Sequence, residues 1–243
     1  MYILGFIAIW LGLRWRSKRP GSPLKASEIE DLVFFGALGV FIGGRLGYVL
    51  FYMVFYDLPG LVADPLSVFY IHEGGMSFHG GLIGVMIAMF VFARRRGHTL
   101  FTVLDEMAPW TAPGLFFGRI GNFINGELWG GVTDVPWAIV YDGEPRHPSQ
   151  LYEAVLEGIV LFAVLVWFQA KPRPRMAMSG LFALLYGVFR IGIEFIRVPD
   201  EGRYLAFGWL TRGQLYSAPL VVVGAVLLYL AYRRPRQEAR AAA

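Results

Sequence analysis

Three clusters of polar residues interrupt otherwise apolar stretches of this 243-residue sequence. The densest is Gly118-Arg119-Ile120-Gly121-Asn122-Phe123-Ile124-Asn125-Gly126-Glu127-Leu128-Trp129-Gly130, where a cation, two carboxamides and an acid stand between positions 119 and 127. Glycines at this density let backbone N–H groups approach an oxyanion. A second cluster, Glu73-Gly74-Gly75-Met76-Ser77-Phe78-His79-Gly80-Gly81, sets one histidine between two glycine pairs. An imidazole titrates near neutrality, so His79 fits a general base as well as it fits a hydrogen-bonded loop residue. The third is Tyr186, Arg190 and Glu194, spaced i, i+4, i+8 along one helical face. That spacing fits an intrahelical ion pair or a polar stripe lining a pocket.

Arg45 and Arg197 also lie within or at the end of apolar segments, as do Arg119 and Arg190. An arginine at mid-bilayer costs about 2.5–3.5 kcal/mol, so four central ones would cost on the order of 10–14 kcal/mol. Such residues persist only when paired or facing a polar cavity. Candidate partners are Asp105, Glu106, Glu153, Glu157 and Glu194. One reading is that each arginine pairs with an acid and ties helices together. The other is a cavity that receives an anionic head group, for which a planar guanidinium is well shaped. No HExxH or comparable ligand spacing occurs, so the sequence makes no case for a metal or a cofactor. Cysteine is absent, which excludes a disulfide scaffold and any thiol nucleophile of the protein's own.

The elements that must hold these clusters follow from composition. Hydrophobic residues make up 56% of the chain, charged residues only 16%, and the mean hydropathy is +0.51. One soluble core of this size cannot hide so much apolar surface, and the bilayer becomes the expected solvent. Apolar windows fall at about 1–13, 32–55, 76–93, 103–123, 150–169, 177–197 and 213–232. The expected fold is an all-α polytopic membrane protein of about seven transmembrane helices forming a single integral domain over 1–243. The first segment is short, about 20 Å of helix against a hydrocarbon core of about 30 Å, and has no secretory-signal pattern.

Most of the 22 Lys and Arg follow alternate segments: Arg14 to Lys25, Arg94 to Arg96, Lys171 to Arg175 and Arg233 to Arg240. The other connections hold only Arg146, Arg203 and Arg212. This asymmetry places the N-terminus outside and the C-terminus in the cytoplasm. The net charge of +4 is therefore topological, and no nucleic acid is needed to explain it. The outer-face connections, about 56–75, 124–149 and 198–212, are too apolar for disordered linkers and predict small structured caps. Gly39, Gly43 and Gly47, Gly80 with Gly84, and Gly114 with Gly118 predict close helix packing. Asp105, Glu106, Pro109 and Pro113 mark the fourth segment as a poor spanning helix with irregular backbone.

At these clusters the sequence resembles the prolipoprotein diacylglyceryl transferase family, membrane enzymes that begin bacterial lipoprotein maturation. The family pattern G-R-x-G-N-F-x-N-x-E-x-x-G matches Gly118, Arg119, Gly121, Asn122, Phe123, Asn125, Glu127 and Gly130. Gly43 to Tyr48, the G-G-M-S-F-H-G-G loop ending at Gly81, His147-Pro148-Ser149-Gln150-Leu151-Tyr152-Glu153, and the Tyr186, Arg190, Glu194, Arg197 series are similar to further family blocks. In the family a Trp-Tyr-Gly stretch precedes the part similar to Met1 to Phe6, so the resemblance implies a start further upstream.

The resemblance implies a multi-pass protein of the bacterial cytoplasmic (inner) membrane with its active site toward the outer half. It implies transfer of the diacylglyceryl group from phosphatidylglycerol to the lipobox cysteine of a preprolipoprotein signal peptide, with sn-glycerol 1-phosphate released. On that reading Arg119 and Arg190 take the phosphate, and Asn122 and Asn125 orient it. Glu127 and Glu194 position the arginines, Tyr186 binds the glycerol head, and His79 is the candidate base. Arg45 and Arg197 complete the substrate-binding set. An anion transporter or channel, and a purely structural membrane scaffold, are the rival classes; buried arginines and broken helices occur in transporters too.

Overall fold

The computed structural model describes residues 1–70, 74–198 and 205–241. His72, Glu73 and Arg203, and with them parts of the 56–75 and 198–212 connections, lie outside the described residues. The chain is mostly helical, and five helical stretches are long and apolar enough to cross a membrane: Ala26–Tyr56, Phe78–Arg95, Ser149–Gln169, Ala177–Glu194 and Arg212–Arg233. These make it a polytopic helical membrane protein. The first and fourth expected segments are helices as well. The first has 16 residues, and the fourth carries Asp105, Glu106 and two prolines.

Two compact units are distinguished, Ser17–Val103 and the combination of Met1–Arg16 with Leu104–Ala243. In the first, α2 (Ile29–Tyr48) passes through a π-helical stretch, Val49–Met53, into α3 (Val54–Tyr56). Asp57 then caps the short α4 (Leu58–Ala63), and Asp64 caps a 3-10 turn over Pro65–Phe69. Ser77 caps α5 (Phe78–Arg95) by accepting from the Gly80 N–H at 3.2 Å. The expected glycine seam forms between α2 and α5. A Cβ at Gly39 would stand 2.7 Å from the Gly84 carbonyl, and one at Gly47 2.6 Å from the Gly80 Cα. Only glycine lets these two backbones approach so closely.

In the other unit, α1 (Tyr2–Ser17) lies against α6 (Leu100–Ile124), where a Cβ at Gly5 would stand 3.3 Å from the Gly114 Cα. Gly118, by contrast, faces no atom within 4 Å, so only Gly114 of that pair serves packing. The expected backbone break in the fourth segment is corrected: α6 runs unbroken through Pro109 and Pro113. Tertiary packing overrides the missing N–H bonds there, because Ala108, Pro109, Trp110 and Ala112 are all buried. The 124–149 connection is structured, as expected. It carries the one departure from an all-α fold among the described residues, an antiparallel hairpin of β1 (Ile139–Tyr141) and β2 (Glu144–Arg146).

From there α7 (Ser149–Glu153) continues through a π-helical run, Ala154–Val160, into α8 (Leu161–Gln169). Asp105 begins α9 (Ala177–Glu194) by accepting from the Met176 and Ser179 N–H groups at 2.7 and 2.8 Å. Last comes α10 (Arg212–Ala241), packed on α9 at a second small-residue crossing, where a Cβ at Gly224 would stand 2.7 Å from the Gly180 carbonyl. Ala108, Ala112, Leu161, Leu165 and Met178 form the core where α6, α8 and α9 meet.

Candidate active site

Six charged side chains in one unit form a continuous chain of alternating sign: Glu157, Arg119, Glu153, Arg190, Glu194, Arg197. Arg119 projects from α6 and donates Nε and Nη2 to Glu157 Oε2 at 3.2 and 3.0 Å, with Nη1 3.2 Å from Glu153 Oε2. Arg190, on α9, pairs through Nη1 with Glu153 Oε1 and through Nη2 with Glu194 Oε1 at 2.7 Å. Arg197 reaches the same Glu194 oxygen at 2.9 Å. The intrahelical Arg190–Glu194 pair thus forms, and it is one link of a longer network.

The backbone explains how two acids reach one arginine. Glu153 ends α7 and Glu157 sits inside the π-helical run, so the backbone between them departs from regular α geometry. Such π segments recur at functional sites. Gly158 permits the approach, since a Cβ there would stand 2.6 Å from the Phe116 Cβ of α6.

Burial sorts the network by role. The carboxylates of Glu153 and Glu157 are fully buried, while the Arg119 and Arg190 side chains keep 15% and 13% of their surface exposed. Removing one partner from a buried ion pair costs about 3–5 kcal/mol, so the acids hold the guanidiniums firmly. Each guanidinium has five N–H donors in a fixed fork. The contacts above engage Nε, Nη1 and Nη2 of Arg119 but only Nη1 and Nη2 of Arg190. Both therefore keep uncommitted N–H donors, and both side chains keep some exposed surface.

Asn122 and Asn125 stand at and just beyond the end of α6. Their amides donate to Glu127 at 2.9 and 3.3 Å, forming a small polar group. Glu127 therefore holds carboxamides, and its expected contact with the arginines is replaced by these bonds. The Ser149-Gln150 pair anchors this loop: Ser149 donates to the Leu128 carbonyl at 2.7 Å, and Gln150 to that of Glu127. Gly130 donates to the His147 carbonyl and Gly131 to that of Ile196, both at 2.9 Å, which stitches the loop between β2 and the end of α9. Tyr186 is half-buried and stacked on Phe182, with ring centroids 5.9 Å apart.

The two remaining sequence candidates belong to the other unit. His79 occupies the first turn of α5, exposed, with its ring edge-on to Phe78 at 5.6 Å; it is helical, not a loop residue. Arg45 is buried, and Nε, Nη1 and Nη2 donate to the backbone carbonyls of Val68 at 2.7 Å, Gly74 at 2.7 Å, Gly75 at 3.0 Å and Ser67 at 2.5 Å. Four of its five donors are thus occupied by the chain. That geometry replaces the expected contact with a lipid head by the closing of a loop. Gly75, at φ +78°, is required there, since a Cβ would stand 2.8 Å from Arg45 Nη1.

Sequence reasoning named Glu153 and Glu157 only as possible counterions. Their i, i+4 spacing inside an apolar segment was the available signal, since an intramembrane acid is functional by default. Thr211, which donates its hydroxyl to Glu194 Oε2 at 2.6 Å, was missed. Among the described residues no group of three or more histidines, aspartates and glutamates is placed to hold a metal.

Over residues 1–230 the chain matches a family model described as prolipoprotein diacylglyceryl transferase. It is 54% identical to a phosphatidylglycerol–prolipoprotein diacylglyceryl transferase of Methylococcus capsulatus over 96% of this chain and 90% of the relative. A protein of the same name from Oleidesulfovibrio alaskensis is 54% identical over 98% and 90%. One from Coxiella burnetii is 51% identical over 96% and 89%.

Proposed function

Because the chain belongs to the prolipoprotein diacylglyceryl transferase family, we propose that it transfers the diacylglyceryl group of phosphatidylglycerol to the lipobox cysteine thiol of preprolipoproteins. The observation that carries the reading is the pair Arg119 and Arg190, held by a shared, fully buried Glu153 while each keeps part of its side chain exposed. A phosphodiester is a poor leaving group in hydrocarbon unless cations meet its oxygens. Two guanidiniums locked at fixed positions supply that field without reorganising during the reaction.

In the proposed step the peptide thiol gives up its proton to a base, the role for which His79 is the sequence candidate. The sulfur forms a C–S bond at the diacylglyceryl carbon while the bond from that carbon to the phosphate oxygen breaks. The electron pair departs on the phosphate as sn-glycerol 1-phosphate, which Arg119 and Arg190 stabilise. Asn122 and Asn125, organised by Glu127, orient the phosphate, and Tyr186 contacts the glycerol head. Glu194 holds Arg190 and Arg197. The three acids balance the three arginines, which keeps the released phosphate from being trapped. Arg45 keeps the loop before α5 closed.

The wider setting belongs to the same proposal. The chain forms a single integral domain of seven spans in the bacterial cytoplasmic membrane, N-terminus outside and C-terminus inside. The 56–75, 124–149 and 198–212 connections cap the outer face, and the chemistry lies toward that half. The basic residues between alternate segments support this orientation. Incubation with phosphatidylglycerol and a lipobox peptide is expected to yield a diacylglyceryl thioether and glycerol phosphate in equal amounts. Anion flux across liposomes with no lipid turnover would favour the transporter class instead.

A further inference from the structure

We propose that Thr211 and Gly213, at the start of α10, are positioning residues that fix Arg190 through the Glu194 carboxylate. The proposal rests on the phosphate-gripping role given to Arg190 above.

Thr211-Arg212-Gly213-Gln214 forms a reciprocal helix cap. The Gln214 N–H donates to Thr211 Oγ1 at 3.1 Å, and the Thr211 N–H donates to Gln214 Oε1 at 3.0 Å. Because Oγ1 accepts within the cap, its orientation is set, and its single proton remains to be donated. It goes to Glu194 Oε2 at 2.6 Å, and Thr211, Gln214 and Glu194 are all buried. The other Glu194 oxygen, Oε1, receives Arg190 Nη2 at 2.7 Å and Arg197 Nη1 at 2.9 Å. Each carboxylate oxygen thus has a separate partner set, and the plane of the group is determined from both sides.

Gly213 makes the approach possible. A Cβ there would stand 2.3 Å from Glu194 Cδ and 2.6 Å from its Oε2, so any larger residue would push the carboxylate out of this position. The carboxylate consequently sits against the first turn of α10, where the positive end of the helix dipole favours an anion. The start of α10 sets Glu194, and Glu194 sets the guanidinium.

The test is a set of variants assayed for thioether formation, with KM for phosphatidylglycerol and for the lipobox peptide measured separately. Thr211→Val removes the donor to the carboxylate and is expected to lower kcat/KM for the lipid roughly ten- to hundredfold, with the peptide KM unchanged. Thr211→Ser keeps both hydroxyl roles and is expected to restore most of that loss. In a Glu194→Gln background the same Thr211→Val change is expected to cost less than about threefold further, since coupled losses do not add. Gly213→Ala is expected to impair lipid use when Glu194 is present and to be relieved in a Glu194→Ala background.

Wild-type lipid kinetics in Thr211→Val, or losses that multiply in the double variant, would overturn the proposal. Failure of the wild-type protein to form thioether would instead overturn the functional reading. The same cycle read on melting temperature then decides the matter. Thr211→Val is expected to lower it less in the Glu194→Gln background than in the wild type, and equal drops would refute the coupling.

Discussion

Arg45 and Arg190 both lie in apolar helices, yet they are satisfied in opposite ways. Arg45 donates to the backbone carbonyls of Ser67, Val68, Gly74 and Gly75. Arg190 pairs with two carboxylates and keeps part of its surface open. A guanidinium surrounded by carbonyls is a fastener, because those acceptors belong to the backbone and cannot leave. One held by carboxylates has a fixed position and still has uncommitted N–H donors. The same residue type thus serves the fold in one unit and is available for chemistry in the other.

The largest effect should come from breaking the carboxylate side. Glu153→Ala leaves two largely shielded guanidiniums without their shared, fully buried acid and is expected to destabilise the protein by about 3–5 kcal/mol, read as a lowered thermal midpoint in detergent. Arg190→Ala and Arg119→Ala are expected to fold, since each leaves Glu153 paired with the other guanidinium. Each should lose about a hundred- to a thousandfold in kcat, measured by mass spectrometry of the peptide thioether.

Smaller effects should follow on the fastener side. Gly84→Ala pushes a Cβ against the backbone of α2, 2.8 Å from the Gly43 Cα, and is expected to cost about 1–3 kcal/mol of stability. The kinetics of the surviving folded protein should stay near wild type. Arg45→Lys keeps the charge but not the fork, so it is expected to loosen the hold on the Ser67, Val68, Gly74 and Gly75 carbonyls. Hydrogen exchange at the Ser77 N–H, bonded to the Gly44 carbonyl at 2.9 Å, should accelerate, while activity falls less than about tenfold.

The helices were legible because hydrophobic runs and glycine spacing are local signals. All seven expected segments are helical, and the α2–α5 seam lies where Gly39, Gly43, Gly47, Gly80 and Gly84 place it. Local rules failed where packing decides. Two prolines should have broken α6, but the buried side chains around them keep it helical. The charged network was legible by residue type and not by partner. Arg119, Arg190 and Glu194 stand in one network, whereas Arg45 is taken by carbonyls, which no pattern of side chains reveals. Glu127 was given an arginine-positioning role with the family resemblance, whereas its carboxylate holds Asn122 and Asn125. The fold instead supplies Glu157 and Glu153, which lie 38 and 34 positions along the chain from Arg119. Thr211 escaped notice because a T-x-x-Q cap reads as a helix start and says nothing of a carboxylate outside it.

The central claim, that Arg119 and Arg190 grip the lipid phosphate, is tested most directly by binding without turnover. Nanodiscs of neutral lipid would be doped with phosphatidylglycerol or with the matching diacylglycerol, which has no phosphate, and lipid occupancy of the protein measured by native mass spectrometry. The wild-type protein is expected to favour the phosphate-bearing lipid by at least about tenfold, and Arg119→Ala and Arg190→Ala to lose that preference. A preference that survives in both variants would contradict the account.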